Sequence, residues 1–373
     1  SYKADADVIP HEAYADAILA ELTARAASVG DAVITSVFFG GGTPSLWRAE
    51  ALGRVVAGLR AALPFAGDAE ITVECNPTSL DEAHTGALLT AGVNRLSVGV
   101  QSLEAAELAY LGRLHDGEGA LAALRGALRA GARRVSADLI FGLPEQTPAA
   151  VLAQADRLLA LGLRHLSCYQ LTIEPGTQFG ELARKGRLPL ADDGRVAEAF
   201  LALDEHLTAR GLTHYEISNY AAHGEEARHN LGYWRGQEYL ALGCGAYGFL
   251  RGEPSGTTRS LRTTAGVRYR NEVDPKAYMA KAQRALPDAT TVHTEPLDAE
   301  TLLRERLMLG LRLAEGFAVH KAEEDLGVRF WTHERTRAAD RLRQQARLEG
   351  DDALLRIPRA AWLWADDIAA RLF

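Results

Sequence analysis

The 373-residue chain has only three cysteines and two methionines. Cys75, Cys168 and Cys244 lie 93 and 76 positions apart. That sparsity excludes a disulfide scaffold and leads us to expect a reduced, cytosolic (cytoplasmic) setting. No pair has metal-ligand spacing, so the thiols read as buried apolar groups. Long apolar runs are missing as well. The longest candidate, residues 33–39, is strand-length and interrupted by Thr35 and Ser36, against the ~18 residues of a membrane span. No stable membrane anchor is therefore expected. Residues 1–10 carry Lys3, Asp5 and Asp7 and no apolar core, so they are not a signal peptide. There is no basic excess: 41 Lys and Arg face 49 Asp and Glu, a net charge of −8. This argues against a nucleic-acid partner, because neutralising phosphates needs a basic surface. The initiating Met is also absent, and the chain reads as trimmed or partial.

What is present is a globular composition, 47% hydrophobic and 24% charged, sufficient for a sizeable core. Over the first 220 residues, short β-rich runs alternate with Ala/Leu/Arg stretches of helical spacing. Helices are expected over 11–28, 48–63, two stretches in 104–130, 149–161 and 194–209. Strands are expected over 34–39, 70–75, 95–100, 135–141, 165–171 and 213–217. Ser79-x-x-Glu82 reads as a capping box. Six β/α units in series predict a partial or closed parallel β/α barrel, with a doubly wound sheet as the alternative. Residues 219–265 show no clear period. Residues 275–373 read as a helical, winged-helix-like domain, with helices near 301–313 and 332–348 and a strand pair at 353–357 and 361–363. The expected division is a barrel over 1–265 and a C-terminal domain over 266–373.

Polar residues recur where β/α barrels place their sites, at the C-terminal ends of the strands. The first strand ends in Gly40-Gly41-Gly42-Thr43-Pro44, which either brings backbone close to a ligand or simply turns the chain. Glu74 and Asp138 are carboxylates in apolar strands, a costly arrangement unless they are paired. They read either as ligand-binding groups or as salt-bridge partners of Arg95 or Arg113. Gln101 ends the third strand. Further on, His229-Asn-Leu-Gly-Tyr233-Trp234 would place His229 and Tyr233 on one helical face. Imidazole can ligate haem iron and aromatic rings can pack on a porphyrin, although a structural His beside core aromatics has the same pattern.

The order of these motifs is more specific than any one of them. Phe39-Gly-Gly-Gly-Thr-Pro44, Glu74-x-Asn-Pro77, residues 92–102 (GVNRLSVGVQS), residues 111–115 (LGRLH), residues 138–144 (DLIFGLP) and residues 169–177 (YQLTIEPGT) occur in sequence. Together they resemble the radical S-adenosylmethionine (SAM) family of oxygen-independent coproporphyrinogen III oxidase-like proteins. The resemblance covers essentially the whole chain and is strongest over 35–250. His229-Asn-x-x-Tyr-Trp234 resembles the motif of the haem-chaperone branch.

The resemblance implies a partial β/α barrel with a helical C-terminal domain. It implies that Gly41, Gly42 and Thr43 hold the amino end of SAM and that Glu74, Gln101, Arg113 and Asp138 complete its pocket. It implies His229 as the haem ligand, with Tyr233 and Trp234 shaping that site. The implied cofactors are SAM, haem and a 4Fe–4S cluster; the implied partners are respiratory haem proteins that accept haem. The enzymatic alternative is oxidative decarboxylation of coproporphyrinogen III. In one respect the chain departs from the family pattern. The family's cluster is held by a Cys-x3-Cys-x2-Cys loop, and no such loop occurs here. In family members it immediately precedes the segment resembling Ser1-Tyr2-Lys3. The expectation is a chain lacking the family's first strand and that loop, its cluster cysteines upstream of Ser1.

Overall fold

The computed structural model describes residues 9–252 and 264–373; the Ser1-Tyr2-Lys3 segment lies outside the described residues. Helix α1 (His11–Arg25) continues through a 3₁₀ turn (Ala26–Ser28) towards β1 (Ile34–Phe39). Thereafter α2 (Ala49–Ala62) leads to β2 (Phe65–Cys75), and α3 (Glu82–Thr90) to β3 (Arg95–Gln101). Helices α4 (Ala105–Tyr110) and α5 (Gly117–Arg129) precede β4 (Val135–Phe141), and α6 (Pro148–Leu159) precedes β5 (His165–Gln170). Then come α7 (Gln178–Arg184), α8 (Asp193–Ala209), β6 (Thr213–Glu216) and β7 (Asn219–Ala221).

These strands form one seven-stranded sheet in the order β1-β2-β3-β4-β5-β7-β6. The pairs β2–β3, β3–β4 and β4–β5 are parallel, as the helical crossovers require. The expected sixth parallel strand, β6, is displaced to the edge. Only residues 217 and 218 separate it from β7, and two residues make a hairpin, not a crossover. Strand β7 therefore runs antiparallel to both β5 and β6. The sheet is a half-barrel. One face carries Ile71, Val73, Leu96, Val98, Val135, Ala137, Leu139 and Leu166, all buried. Helix α5 presents Ala120, Leu121, Leu124 and Ala127, also buried, at the helical spacing that an amphipathic crossover needs. The opposite sheet face carries Thr72, Glu74, Arg95, Ser97, Ser136, Asp138, His165 and Ser167, so strand alternation separates an oily face from a polar one.

The remainder runs α9 (Arg228–Trp234), β8 (Tyr247–Arg251), β9 (Thr264–Asn271), α10 (Pro275–Ala282), β10 (Thr291–Asp298) and α11 (Ala299–Gly310). It ends with β11 (Phe317–Ala318), α12 (Val319–Leu326), α13 (His333–Gln344), β12 (Glu349–Gly350), β13 (Leu354–Arg356) and α14 (Ala365–Arg371). Strands β8, β9 and β10 form an antiparallel sheet. A second small sheet, β11-β13-β12, sits among the last helices as in a winged helix.

Three local expectations are corrected. The strand expected at Ala361–Leu363 is part of a 3₁₀ helix, Arg359–Trp364, and β13 instead pairs with β11 and β12. The capping box is not formed: Asp81 caps α3, accepting a hydrogen bond from His84 N–H at 2.7 Å. Ser79 belongs to a 3₁₀ turn and bonds Ser45 Oγ at 2.6 Å instead. Residues 219–265, without readable period, contain β7, α9 and β8.

The chain divides into two compact units. One comprises Phe38–Leu46 and Ile71–Glu226; the other comprises described residues 9–37, Trp47–Glu70 and Ala227–Phe373. In the second unit α1 is fixed by a buried polar cluster. Glu21 accepts from Arg25 Nε (3.0 Å), Asn271 Nδ2 (2.8 Å), Thr290 Oγ1 (2.6 Å), Tyr278 OH (2.6 Å) and Gly243 N–H (2.9 Å).

Candidate functional site

Within the first unit the polar face of the sheet gathers most of the residues singled out above. Gly41 and Gly42 follow β1 with φ of +80° and +65°, in the left-handed region that suits glycine. A Cβ added at either would meet nothing within 4 Å, so this backbone faces open space at the strand ends. Gly41 N–H donates to Glu74 Oε2 at 3.1 Å. That bond ties the glycine loop to the end of β2. Burial nevertheless pushes the Glu74 carboxyl above its ordinary range, and the Gly41 bond only partly offsets the shift.

Asp138 lies on β4, paired in register with Ser167 of β5. Its carboxyl is raised to about 6, chiefly by burial. Bonds from Ser167 and Ser97 and the charge of Arg95 act in the opposite sense, while Glu74 adds to the rise. Ser97 Oγ donates to the carboxylate, 3.3 Å from Oδ1 and 3.4 Å from Oδ2. Ser136 Oγ donates to Ser97 Oγ at 3.1 Å, and Arg95 Nη2 donates to Ser136 Oγ at 3.1 Å. Neither Glu74 nor Asp138 forms an ion pair among the described residues, so the salt-bridge alternative with Arg95 or Arg113 is not realised for them.

Gln101 ends β3 with φ +67°, which costs a non-glycine residue roughly 1 kcal/mol or more. Its amide nitrogen would be 2.8 Å from a Cβ placed on Gly99, so the side chain folds back over the strand end. Arg113 stands apart in the α4–α5 connection. No hydrogen bond or ion pair holds its guanidinium among the described residues, and burial lowers its pKa. Thr43 lies beside the glycines, its carbonyl accepting from Leu46 N–H at 3.0 Å.

These groups suit a cationic ligand with hydroxyls and a carboxylate. Two carboxylates that form no ion pair among the described residues favour an ammonium or sulfonium, and the open glycine backbone offers unhindered N–H and C=O groups. SAM fits that description. A 4Fe–4S cluster does not fit the thiols in hand. Cys75 and Cys168 are buried in β2 and β5, and burial, reinforced by Asp138, holds each thiol at about 12. Cys244 accepts from Tyr14 OH at 3.3 Å. No group of three or more His, Cys, Asp or Glu among the described residues could hold a metal ion.

In the second unit, α9 carries the aromatic motif. Glu70, buried on β2, accepts from Arg228 N–H (3.1 Å) and His229 N–H (3.2 Å), fixing the start of the helix. Asp68 holds the Arg228 guanidinium at 2.8 Å. The His229 ring meets Tyr233 edge-to-face, centroids 4.8 Å apart, and Tyr233 meets Tyr239 at 4.5 Å. Ser36 Oγ lies 3.5 Å from His229 Nδ1. Tyr233 is 38% exposed. Trp234, five positions after His229, turns elsewhere: the Arg312 guanidinium covers its ring at 5.2 Å. The motif thus splits into an aromatic pair, half-buried His229 and exposed Tyr233, and an anchoring side bearing Trp234. Sequence reading missed Ser97, Ser136, Glu70 and Tyr239. Only strand parity could have flagged Ser97, which shares a face with Gln101.

Comparison with known proteins shows the family. The model of the radical SAM superfamily matches residues 10–158, and that of the HemN C-terminal domain matches residues 297–364. The chain is 41% identical over 256 residues to the heme chaperone HemW of Escherichia coli K12, covering 69% of this chain and 66% of that protein. It is 38% identical over 284 residues to the bovine mitochondrial radical S-adenosyl methionine domain-containing protein 1, covering 76% and 62%. The chain thus spans just under two thirds of the length of these two relatives. With the heme chaperone HemW of Bacillus subtilis it shares 32% identity over 319 residues, 85% of this chain and 80% of the relative. Among solved structures, E. coli coproporphyrinogen III oxidase (HemN) superposes with a TM-score of 0.77 at 20% identity, covering 98% of this chain and 84% of that one. That likeness establishes the fold.

Proposed function

The chain belongs to the radical SAM family of HemW- and HemN-type proteins, and on that footing we propose that it is a haem chaperone, binding haem through His229 and passing it to an acceptor haem protein. The observation that carries this reading is the His229-Asn-x-x-Tyr233-Trp234 helix. Its His and Tyr rings pack edge-to-face with Tyr233 exposed, and its start is tied down by Glu70. The imidazole would supply the iron ligand, and Tyr233 the flat apolar surface on which a porphyrin packs. Trp234, beneath Arg312, would brace the helix. Respiratory haem proteins are the acceptors proposed. The division into a barrel over 1–265 and a C-terminal domain over 266–373 belongs to the same proposal, supported by the HemN C-terminal domain match.

Family membership implies SAM and a 4Fe–4S cluster. Bound SAM supplies an electrophilic sulfonium. On this chain, Gly41, Gly42 and Thr43 would receive its methionyl end, with Arg113 for the carboxylate. Glu74, Gln101 and Asp138 would accept from its ammonium and ribose hydroxyls. The test of the haem assignment is titration followed by the Soret band, in wild type and His229→Ala. The variant is expected to bind at least about tenfold more weakly, with an altered Soret position. Equal affinity and an identical spectrum would remove His229 from the site.

A further inference from the structure

The polar face of the half-barrel is layered, and the layering has a consequence for the pocket proposed to take SAM, on which this inference rests. Residues Glu74 and Ser97 are register partners, as are Asp138 and Ser167. Two positions earlier on their own strands come Arg95, Ser136 and His165, Ser136 being the register partner of Ser97. A chain of hydrogen bonds climbs from this layer: Arg95 Nη2 to Ser136 Oγ, Ser136 Oγ to Ser97 Oγ, and Ser97 Oγ to the Asp138 carboxylate. Arg95, Ser136 and Ser167 are all buried. Every donor in this chain points toward Asp138. Each hydroxyl has a proton to give upward because it accepts from the group below, and the guanidinium at the base cannot accept.

We propose that Ser97, oriented by Ser136 and Arg95, is a positioning residue that keeps the Asp138 carboxyl ionised and aimed into the pocket, so that cationic SAM binds without first displacing a proton. The surroundings of Asp138 divide sharply over its charge. Burial opposes ionisation most, and Glu74 adds to that from β2; the Ser167 hydroxyl on β5 favours it most, followed by Arg95 and the Ser97 hydroxyl from β3. The field of Asp138 also reaches Tyr169 on the same face and Cys75 and Cys168 on the other, and helps keep all three protonated. His165, beside Arg95, is held neutral by burial and by the charges of Arg95 and Arg134. Arg95 is thus the only one of these groups that brings positive charge to bear on Asp138. Its effect reaches the carboxylate partly through two oriented hydroxyls, and a carboxylate that accepts such bonds loses its proton more easily.

The experiment has two arms on the full chain. In the first, aspartate carboxyl carbons are labelled with ¹³C and the Asp138 resonance is assigned by its loss in Asp138→Asn. Its titration is followed in wild type, Ser97→Ala and Ser97→Thr. The midpoint is expected to rise in Ser97→Ala and to return in Ser97→Thr, which keeps the hydroxyl. In the second arm, calorimetry measures SAM affinity between pH 6 and 8. The Ser97→Ala deficit is expected to be about three- to tenfold near pH 6 and to shrink towards pH 8, where both proteins are ionised. An unmoved midpoint overturns the inference. So does a deficit equal at every pH, which a purely structural role would give. If wild type takes up no SAM at any pH, the pocket reading itself falls, whereas the NMR arm still decides whether Ser97 governs Asp138.

Discussion

Asp138 contributes to ligand binding what it takes from stability. Its carboxyl titrates at about 6 in the folded chain, above its ordinary value of 3.8. Between those limits the folded state holds a proton that the unfolded state releases. The stability this brings is fully present below about pH 4 and is lost as pH rises through about 6. Asp138→Asn is therefore expected to stabilise the protein at pH 7.5 by roughly 1–2 kcal/mol, with the difference closing near pH 4. Urea unfolding at the two pH values measures it; equal effects at both would contradict the cause given. At this scale the sequence is half legible. Carboxylates in the apolar strands of Glu74 and Asp138 stand out because burying them is costly. Ser97 and Ser136 do not, because serine is common and its partner is set by strand register, which appears only once β3 lies beside β4. Gln101's left-handed backbone left no trace in the residue type either.

Among elements, α9 shows how a seven-residue helix is held. It is too short to persist by itself; its N-terminal N–H groups rest on Glu70, and Trp234 and Arg235 fasten its far end, the latter to Glu315 at 2.7 Å. Glu70→Ala removes the acceptor of two buried-side N–H groups. The expected cost is about 2–3 kcal/mol in urea unfolding, together with weaker haem uptake while His229 is still present. Retention of full haem affinity would mean that α9 does not need this clamp. The β/α rhythm of the first 220 residues was legible, with β1 and β4 falling where the pattern placed them. Helices α2, α5 and α6 there carry clean apolar stripes, and β1 and β4 run into Gly. Strands β8–β10 were not, since Gly248 and Gly266 sit inside them opposite Tyr269 and Phe249. There, large aromatic side chains lie over glycines, and the apolar alternation that announces a strand is lost.

For the molecule as a whole, the second unit draws together stretches far apart in the chain, and Glu21 is where they meet. Removing it leaves Arg25 buried without its carboxylate, although Arg25 still reaches Asn271, Thr290 and Thr291. Glu21→Ala is expected to cost about 3–5 kcal/mol, measured by urea unfolding; a loss under 1 kcal/mol would show the cluster to be dispensable. Among the described residues no helix is long and apolar enough to cross a membrane. The half-barrel was legible from length and rhythm, whereas this long-range cluster was not, because no local pattern links Glu21 with Asn271, Tyr278 and Thr290.

The Glu21 cluster also sets a timetable. Its acceptor is made early, and its donors at Gly243, Asn271, Tyr278 and Thr290 follow 222 to 269 residues later. At ribosomal rates, that interval is on the order of ten to fifty seconds. Throughout it α1 can already pack with α2, made soon after it, while Glu21 has only Arg25 of its final partners. The first unit's strands and crossovers are all synthesised within this interval, so they can pair while α1 waits. Glu21 cannot complete its set of hydrogen bonds until residue 290 has been made.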